Sequence, residues 1–360
     1  MSYPTDPTRK TQVMAVLNIT PDSFSDGGKH NVTNLEEIER TVRNFIADGV
    51  TIIDVGGQST RPGATKISSQ QELERVRPVI ERIRSIPEAR DVAISVDTFY
   101  ADVARGAVAA GADIINDVSS GVFDPQMLPL AAELGVTIIL MHMRGTPETM
   151  AHLTEYPEGV INGVGKELGQ RVTEALRAGV PRWRIVLDPG IGFAKTENQN
   201  LELLRDLDNL RRFPGLENFP WLVGTSRKGF IGKITGVSSA VERGWGTAAT
   251  VTTSVAGGAD IVRVHDIPEM VQVTKMADTM YRSVSKPWTP HNAAPMTGAA
   301  NTELDAYGED AAAPIAVENS SWVLSPQFTA GIAYARESFL DGSAPRESSR
   351  VDSDAEDLNK

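Results

Sequence analysis

The chain has 360 residues, of which 41% are hydrophobic and 23% are charged, and these values are ordinary for a soluble globular protein. Its formal net charge of −12 argues against general nucleic-acid binding, and the lack of cysteine excludes a disulfide framework, a thiolate metal site and a cysteine nucleophile. The first residues, MSYPTDPTRKTQ, lack the apolar core of a secretion signal, and no apolar run approaches about 18 residues, so we expect neither secretion nor membrane spanning.

A repeating pattern occupies residues 13–285. Each unit begins with a short apolar run rich in β-branched residues, continues through a polar loop and ends in an amphipathic stretch. The apolar runs predict eight strands, at residues 13–17, 51–55, 92–97, 112–117, 136–141, 184–188, 221–224 and 260–264. The clearest helical patterns between them lie at residues 35–47, 71–84, 100–110 and 163–178.

Eight strands that alternate with helices predict an α/β fold, a (β/α)₈ TIM barrel, with an open doubly wound parallel sheet as the alternative. The position of the polar residues favours the barrel, because they cluster at the carboxyl ends of the strands, where barrel active sites are built. They include Asn18, Asp54, Asp97, Asn116, Asp188 and Arg263.

The two ends of the chain differ from this repeat. Residues 1–12 predict an N-terminal arm, and residues 286–360 predict an acidic, disordered tail, because residues 290–360 contain 12 acidic residues against 4 Lys and Arg. Within it, residues 322–340 carry aromatic and apolar side chains at roughly helical spacing. Weak order is the simpler interpretation of that segment, and docking on the barrel or on a partner is the alternative.

Several loops contain dense polar motifs in a fixed order along the chain. The set comprises VLNITPDSFSDGG (16–28), IIDVGGQSTRPGAT (52–65), SVDT (95–98), INDVSSG (115–121), LMHMRGTP (140–147), LDPGIGFAKT (187–196), GTSRKGFIG (224–232) and RVHD (263–266). Over about residues 13–284 the chain resembles the dihydropteroate synthases of the folate pathway. The residues of its motifs are also similar to those of the synthase module of fungal multifunctional folate proteins. The commoner family residue at Gln58 is Glu.

Three of the strand-end residues suit recognition of a pterin ring. Asp97, Asn116 and Asp188 end different strands and therefore converge in a barrel, and their oxygens and amide match the donors and acceptors of the ring edge. The structural alternative is that each caps the helix that follows. The resemblance implies a pterin pocket made of Asp97, Asn116, Asp188, Phe193, Lys228 and Arg263.

Strand eight predicts an anion site, because Arg263 and His265 are two residues apart and so point to the same side of the strand. The alternative for RVHD is an ordinary strand end with Asp266 as a helix cap. The resemblance implies that Asn18, Thr60, Arg263 and His265 bind pyrophosphate, and that Asn18 is also a ligand to Mg²⁺. Asp54 is left without an assigned role.

The resemblance also implies two mobile loops that order over bound pyrophosphate and build a pocket for 4-aminobenzoate. That pocket would contain Phe24, Thr60, Pro62, Phe193, Ser226 and Arg227. The implied reaction joins 4-aminobenzoate to 6-hydroxymethyl-7,8-dihydropterin pyrophosphate through a dissociative mechanism, with Mg²⁺ as cofactor and sulfonamides as inhibitors. Its catalytic residues would be Asn18, Thr60, Arg61, Lys228, Arg263 and His265.

The resemblance further implies a homodimeric transferase. We expect a cytoplasmic location, with an organelle left open. Two alternatives to the synthase remain at this stage. A pterin-binding methyltransferase-type module would share the barrel and the pterin pocket but would not need STRP or SRK for an arylamine. A catalytically silent pterin-binding paralogue would be expected to lose the anion-binding residues, which this chain retains.

Overall fold

The computed structural model describes residues 9–19, 35–58 and 66–282. Within them, eight strands alternate with helices, and each strand lies within two residues of its predicted position. The strands are β1 (Gln12–Asn18), β2 (Ile52–Gly56), β3 (Ala93–Asp97), β4 (Ile114–Asp117), β5 (Thr137–Met141), β6 (Ile185–Asp188), β7 (Leu222–Val223) and β8 (Ile261–Val264).

The strands form one parallel sheet that closes on itself. Neighbouring strands are paired in the order β6-β5-β4-β3-β2-β1-β8-β7. A parallel bridge between Leu187 and Trp221 joins the two outer strands, and the amide of Leu187 donates to the carbonyl of Pro220 over 2.9 Å. The predicted (β/α)₈ barrel is therefore confirmed, and the open doubly wound sheet is excluded.

The helices cover the outside of the barrel. They are α1 (Leu35–Asp48), α2 (Ser69–Ser85), α3 (Ala101–Ala109), α4 (Met127–Leu134), α5 (Val160–Arg177), α6 (Glu197–Arg205), α7 (Leu207–Arg211), α8 (Gly229–Thr235), α9 (Gly244–Ala256) and α10 (Ile267–Tyr281). The sequence encodes several of their ends. Ser68 begins α2 and Thr196 begins α6, each with a capping box that satisfies backbone N–H groups of the first turn.

Side-chain alternation along the strands separates the core from the site. In β2, Ile53 and Val55 pack into the hydrophobic core between the sheet and the helices. Successive side chains of a strand point to opposite faces, so Ile52 and Asp54 face the barrel interior. All five residues of β2 are buried, which explains why the barrel strands appear in the sequence as short, mostly apolar runs.

The first strand and the last helix are joined on the side of the barrel where the strands begin. The backbone N–H of Thr11 donates to Asp278 Oδ2 over 2.8 Å, and its hydroxyl donates to Asp278 Oδ1 over 2.6 Å. Arg282 Nη1 donates to the carbonyl of Arg9 over 3.1 Å. These bonds fix the N-terminal edge of β1 to the end of α10.

Two further sequence-based predictions concern membrane spanning and the two ends of the chain. None of the helices in the described ranges has both the length and the apolar character needed to cross a bilayer. The predicted tail 286–360, with its segment 322–340, and the first eight residues of the predicted arm lie outside the described residues.

Candidate active site

A cavity of about 1230 Å³ opens at the carboxyl ends of the strands. The resemblance assigns a site role to fourteen residues, and ten of them line the cavity, namely Asn18, Asp97, Asn116, Asp188, Phe193, Ser226, Arg227, Lys228, Arg263 and His265. The other four, Phe24, Thr60, Arg61 and Pro62, lie outside the described residues. Strand-end residues that are far apart in the sequence therefore converge at one end of the barrel.

The floor of the cavity contains two carboxylates that share one guanidinium. Arg263 Nε donates to Asp54 Oδ2 over 2.6 Å, and Arg263 Nη2 donates to Asp97 Oδ2 over 2.8 Å. Asn116 Nδ2 donates to the same oxygen of Asp54 over 3.1 Å. Asp54 is fully buried, and it therefore orients two residues that line the cavity, Arg263 and Asn116.

When both carboxyl groups are ionised, Asp54 and Asp97 carry two negative charges against the single positive charge of Arg263. Burial raises the pKa of Asp97 to about 7, against the opposing effect of Arg263 and with a further contribution from the neighbouring Asp54 carboxylate. Within the described part of the chain, Oδ1 of Asp54 and Oδ1 of Asp97 are buried and have no hydrogen-bond partner. A ligand that brings N–H donors to Asp97 would satisfy its oxygen and favour the ionised form.

Asp188 provides a third carboxylate at the end of β6. Burial raises its pKa to about 6, although the N–H of Gly190 donates to its Oδ1 over 2.7 Å and Lys228 lies nearby. Asp117, by contrast, is turned into its own loop, where its Oδ1 accepts from the amide and the hydroxyl of Ser119. Asp188 lines the cavity, whereas Asp117 stabilises the turn that follows β4.

Lys228 and Phe193 form one wall of the cavity, in which a cationic group lies over an aromatic ring. The Nζ atom of Lys228 lies 4.1 Å from the ring centroid of Phe193. Gly192 adopts φ +82°, and a Cβ atom there would lie 3.0 Å from Cδ of Lys228. Glycine at this position therefore allows the loop after β6 to pass close to the lysine stem.

His265 and Ser226 are connected across the ends of β8 and β7. The backbone N–H of His265 donates to Ser226 Oγ over 3.2 Å, and the ring Nδ1 lies 3.0 Å from the same oxygen. When the hydroxyl of Ser226 donates to Nδ1, the proton of the neutral ring lies on Nε2, where it is directed away from Ser226.

Arg227 is held in an unusual backbone conformation beside this pair. Its φ of +61° is in the left-handed region, and its carbonyl accepts a hydrogen bond from Arg243 Nη1 over 2.9 Å. Its guanidinium pairs with Asp266 through Nε and Nη2. Asp266 begins α10 but its side chain makes no capping hydrogen bond, so the helix-cap alternative for RVHD is wrong, because this carboxylate pairs with Arg227.

Asn18, the last residue of β1, is the candidate metal ligand. Its Oδ1 would lie 3.5 Å from a Cβ atom on Gly56, so the absence of a side chain on Gly56 leaves room around this oxygen. In the described ranges, no three His, Cys, Asp or Glu side chains form a group that could hold a metal ion. The donor set fits Mg²⁺ that is held by one amide oxygen together with substrate oxygens, because Mg²⁺ accepts few protein ligands.

Sequence reasoning left several cavity residues without a role. Lys195 and Arg243 line the cavity, and the motif GFAKT contains the first of them without indicating its contacts. Gln58 also lines the cavity and donates from Nε2 to Glu72 Oε2 over 2.7 Å, which a glutamate at position 58 could not do when ionised. Burial raises the pKa of Glu72 to about 8.

Comparison with known proteins agrees with this arrangement. The family model for pterin binding enzymes matches residues 14–265. The dihydropteroate synthase of Synechocystis is 48% identical over 274 residues, which cover 76% of this chain and 91% of that protein. The folic acid synthesis protein of Schizosaccharomyces pombe is 50% identical over 267 residues, or 74% of this chain, and the chain spans only 36% of that relative's length.

Solved structures are similar in fold as well as in sequence. The dihydropteroate synthase of Yersinia pestis in a sulfonamide drug complex has a TM-score of 0.67 and 38% identity, and the match covers 75% of this chain and 94% of that one. The Xanthomonas albilineans dihydropteroate synthase with 4-aminobenzoic acid also has a TM-score of 0.67 and 38% identity, and covers 75% of this chain and 93% of that one. The chain therefore belongs to the pterin-binding enzymes and, within them, to the dihydropteroate synthase family.

Proposed function

We propose that this chain joins 4-aminobenzoate to the methylene carbon of 6-hydroxymethyl-7,8-dihydropterin pyrophosphate, giving 7,8-dihydropteroate and pyrophosphate. The observation that carries the proposal is the convergence of Asp97, Asn116, Asp188 and Lys228 on one cavity beside the cationic groups of strand β8. Family membership at 48% identity over most of the Synechocystis enzyme supports the same reaction.

The pterin ring binds at the floor of the cavity. Asp97 and Asp188 accept N–H groups of the ring, Asn116 offers its amide, and Phe193 and Lys228 cover one face. Arg263 orients Asp97 from below. The unsatisfied Oδ1 of Asp97 supports this assignment, because a buried carboxylate oxygen without a partner is costly until a donor arrives.

The pyrophosphate lies over Arg263 and His265, with Asn18 and Thr60 as further contacts. These groups stabilise the leaving group as the bond from the methylene carbon to oxygen breaks and its electron pair stays on pyrophosphate. Asn18 would supply a protein ligand for Mg²⁺, which when bound adds positive charge next to the phosphate oxygens. Arg61 completes the set of cationic groups that we assign to this step.

The carbon then accepts the arylamine. Loss of pyrophosphate leaves a cation that is delocalised into the pterin ring beside Asp97 and Asp188, and the amine nitrogen of 4-aminobenzoate forms the new bond and releases a proton. Its pocket comprises Phe24, Thr60, Pro62, Phe193, Ser226 and Arg227. Sulfonamides occupy the same pocket, in keeping with the sulfonamide complex of the Yersinia pestis relative.

The decisive experiment is a synthase assay with both substrates and Mg²⁺. We expect formation of dihydropteroate and stoichiometric pyrophosphate, both abolished by chelation of Mg²⁺. Asp97→Asn should lose most activity, whereas Asp208→Asn, which removes an exposed partner of Arg212, should retain it. Pterin binding without any condensation would contradict the proposal and would favour a silent pterin-binding protein.

Assembly and location form a separate part of the proposal. The side chains of Ile234, Val241 and Trp245 are 55%, 63% and 91% exposed on neighbouring segments around α8 and α9, which supports burial against a second copy. We propose a homodimer in the cytoplasm, and analytical ultracentrifugation tests the dimer. An organelle is the alternative location, since one relative from Arabidopsis thaliana, 46% identical, is named as a mitochondrial protein.

A further inference from the structure

The side chain of Lys195 is enclosed by protein acceptors although the residue lines the cavity. Its Nζ atom donates to the carbonyl of Gly190 over 3.0 Å and to the carbonyl of Phe193 over 2.9 Å, and it lies 2.9 Å from Nδ1 of His142. An ammonium group has three N–H donors, so these contacts use all of them. Lys195 therefore binds the loop that carries Phe193 and has no donor left for a substrate.

His142 connects this ammonium group to the carboxylate of Glu167 on helix α5. The ionised carboxylate of Glu167 can only accept, so Nε2 of the neutral His142 ring donates to Glu167 Oε2 over 2.9 Å and Nδ1 is left to accept from Lys195. Burial lowers the pKa of Lys195 to about 7, and the Nδ1 acceptor together with the nearby Asp188 carboxylate favours its ammonium form. Burial lowers the pKa of His142 to about 4, with Lys195 as the next cause, which keeps the ring neutral as this arrangement requires.

Glu167 is itself fixed from its other side. Arg144 Nε lies 3.0 Å from each of its carboxylate oxygens. Burial alone would raise the pKa of Glu167, but the hydrogen bonds from His142 and Arg144 lower it to about 2. The result is a continuous chain of charge-assisted hydrogen bonds from Arg144 to Lys195.

The loop that Lys195 binds has a backbone that needs such support. Gly190, Gly192 and Ala194 have φ values of +66°, +82° and +48°, so alternate residues are left-handed and one of them carries a Cβ atom. The hydroxyl of Tyr156 donates to the carbonyl of Ala194 over 3.0 Å, and the guanidinium of Arg144 lies 3.8 Å from the centroid of the Tyr156 ring. The cluster of Lys195, His142, Glu167, Arg144 and Tyr156 therefore holds both ends of the loop.

We propose that Lys195, oriented by His142 and Glu167, is a positioning residue that fixes residues 189–194 so that Phe193 packs against Lys228. Only the kinetic consequence of this inference rests on the proposed function. Because Lys195 acts through the Phe193 ring and not on the reacting atoms, its loss should affect substrate binding more than the chemical step.

Replacement of Lys195 by methionine tests the proposal in the full chain, since methionine is also unbranched, is only one atom shorter and removes every donor. We expect KM for 4-aminobenzoate to rise about tenfold or more while kcat changes less than about threefold, as for loss of a charge-assisted hydrogen bond that acts on binding. Lys166→Met is the matched control, because Lys166 lies next to Glu167 on α5, is exposed and pairs with Glu158.

A second measurement does not depend on the reaction. The N–H of Phe193 donates to the carbonyl of Gly190 over 3.1 Å, so amide hydrogen exchange of a peptide covering 189–194 reports on the loop directly. Exchange should be about tenfold faster in Lys195→Met, and faster by a smaller factor in Glu167→Gln, which keeps an acceptor for His142 but loses the charge.

The results of these experiments distinguish the positioning role of Lys195 from the proposed synthase function. Wild-type exchange and wild-type KM values in both variants would overturn the positioning role, even if the wild-type chain is an active synthase. Faster exchange in the variants of a chain that has no synthase activity would support the positioning role and contradict the proposed function. If Lys195→Met does not fold, Glu167→Gln decides by the same two readouts, since its carboxylate is a third exposed.

Discussion

Arg263 Nε donates to Asp54 Oδ2 over 2.6 Å, although the two residues are 209 positions apart in the chain. The bond crosses from β8 to β2, on either side of β1 in the sheet. With Nη2 bound to Asp97, the guanidinium is fixed in the floor of the cavity. This geometry supports our assignment of Arg263 to the pterin pocket as well as to the pyrophosphate site.

Asp54→Asn should weaken binding of the pterin pyrophosphate by about ten- to a hundredfold, because loss of a buried charge-assisted hydrogen bond costs about 1.5–3 kcal/mol and lets Arg263 and Asn116 move. Calorimetry with the substrate or with 6-hydroxymethylpterin measures the effect. Wild-type affinity in this variant would show that Asp54 does not orient the site.

Binding of 6-hydroxymethylpterin should strengthen as pH rises to about 7 and then level off. Burial raises the pKa of Asp97 to about 7, so below that pH a growing fraction of the carboxyl is protonated and cannot accept two N–H bonds. The affinity should fall by up to about tenfold for each pH unit below 7, and more steeply below about pH 6, where burial has raised the pKa of Asp188 and this second acceptor is also protonated. Titrations between pH 5.5 and 8 test this.

Asp97→Asn is the control for that pH dependence. It should bind weakly at every pH and lose the change in affinity near pH 7, so that only the change near pH 6 remains, where Asp188 titrates because burial raises its pKa to about 6. A wild-type affinity that does not change between pH 6 and 8 would show that ionisation of Asp97 does not control pterin binding.

4-Aminobenzoate should bind weakly to the free enzyme and tightly when pyrophosphate, pterin and Mg²⁺ are present. The described part of its pocket comprises Phe193, Ser226 and Arg227, and the remaining walls that we assign, Phe24 and Pro62, belong to the two Gly-rich loops. Phe24→Ala should raise the concentration of 4-aminobenzoate required and leave pterin pyrophosphate binding nearly unchanged. Tight binding of 4-aminobenzoate to the empty enzyme would contradict the ordered sequence.

A chain that ends at residue 288 should keep near-normal turnover, because the described barrel ends with α10 at Tyr281 and Arg282 is retained. A chain that ends at residue 277 should unfold at a lower temperature, since it loses both buried hydrogen bonds from Thr11 to Asp278, at about 1 kcal/mol or more each. Turnover and thermal unfolding measure both. Loss of activity in a folded chain ending at 288 would assign a role to residues 322–340.

The fold was predictable because a parallel barrel has a simple sequence signature. Its strands are buried on both sides, so they appear as apolar runs, and its polar rim adds a residue such as Asp97 or Asp188 directly after each run. Capping boxes at Ser68 and Thr196 define the starts of α2 and α6 locally. None of these features depends on the closure of the ring.

The contacts within the site were less predictable because they join distant segments. Lys195 meets His142 across 53 positions, and Arg227 meets Asp266 across 39. Spacing along one strand could indicate that Arg263 and His265 share a face, but it could not show that Arg263 bridges Asp54 and Asp97. Such pairings depend on which strands the closed sheet brings close together.

The bonds from Thr11 to Asp278 and from Arg282 to Arg9 place both ends of the described barrel on the face opposite the cavity. Polypeptide joined to either end would thus leave the barrel away from the substrate entrance. A barrel of this kind can be transplanted between single-activity enzymes and long fusion proteins without rebuilding its catalytic face. The S. pombe relative, of which this chain spans 36%, is such a longer polypeptide.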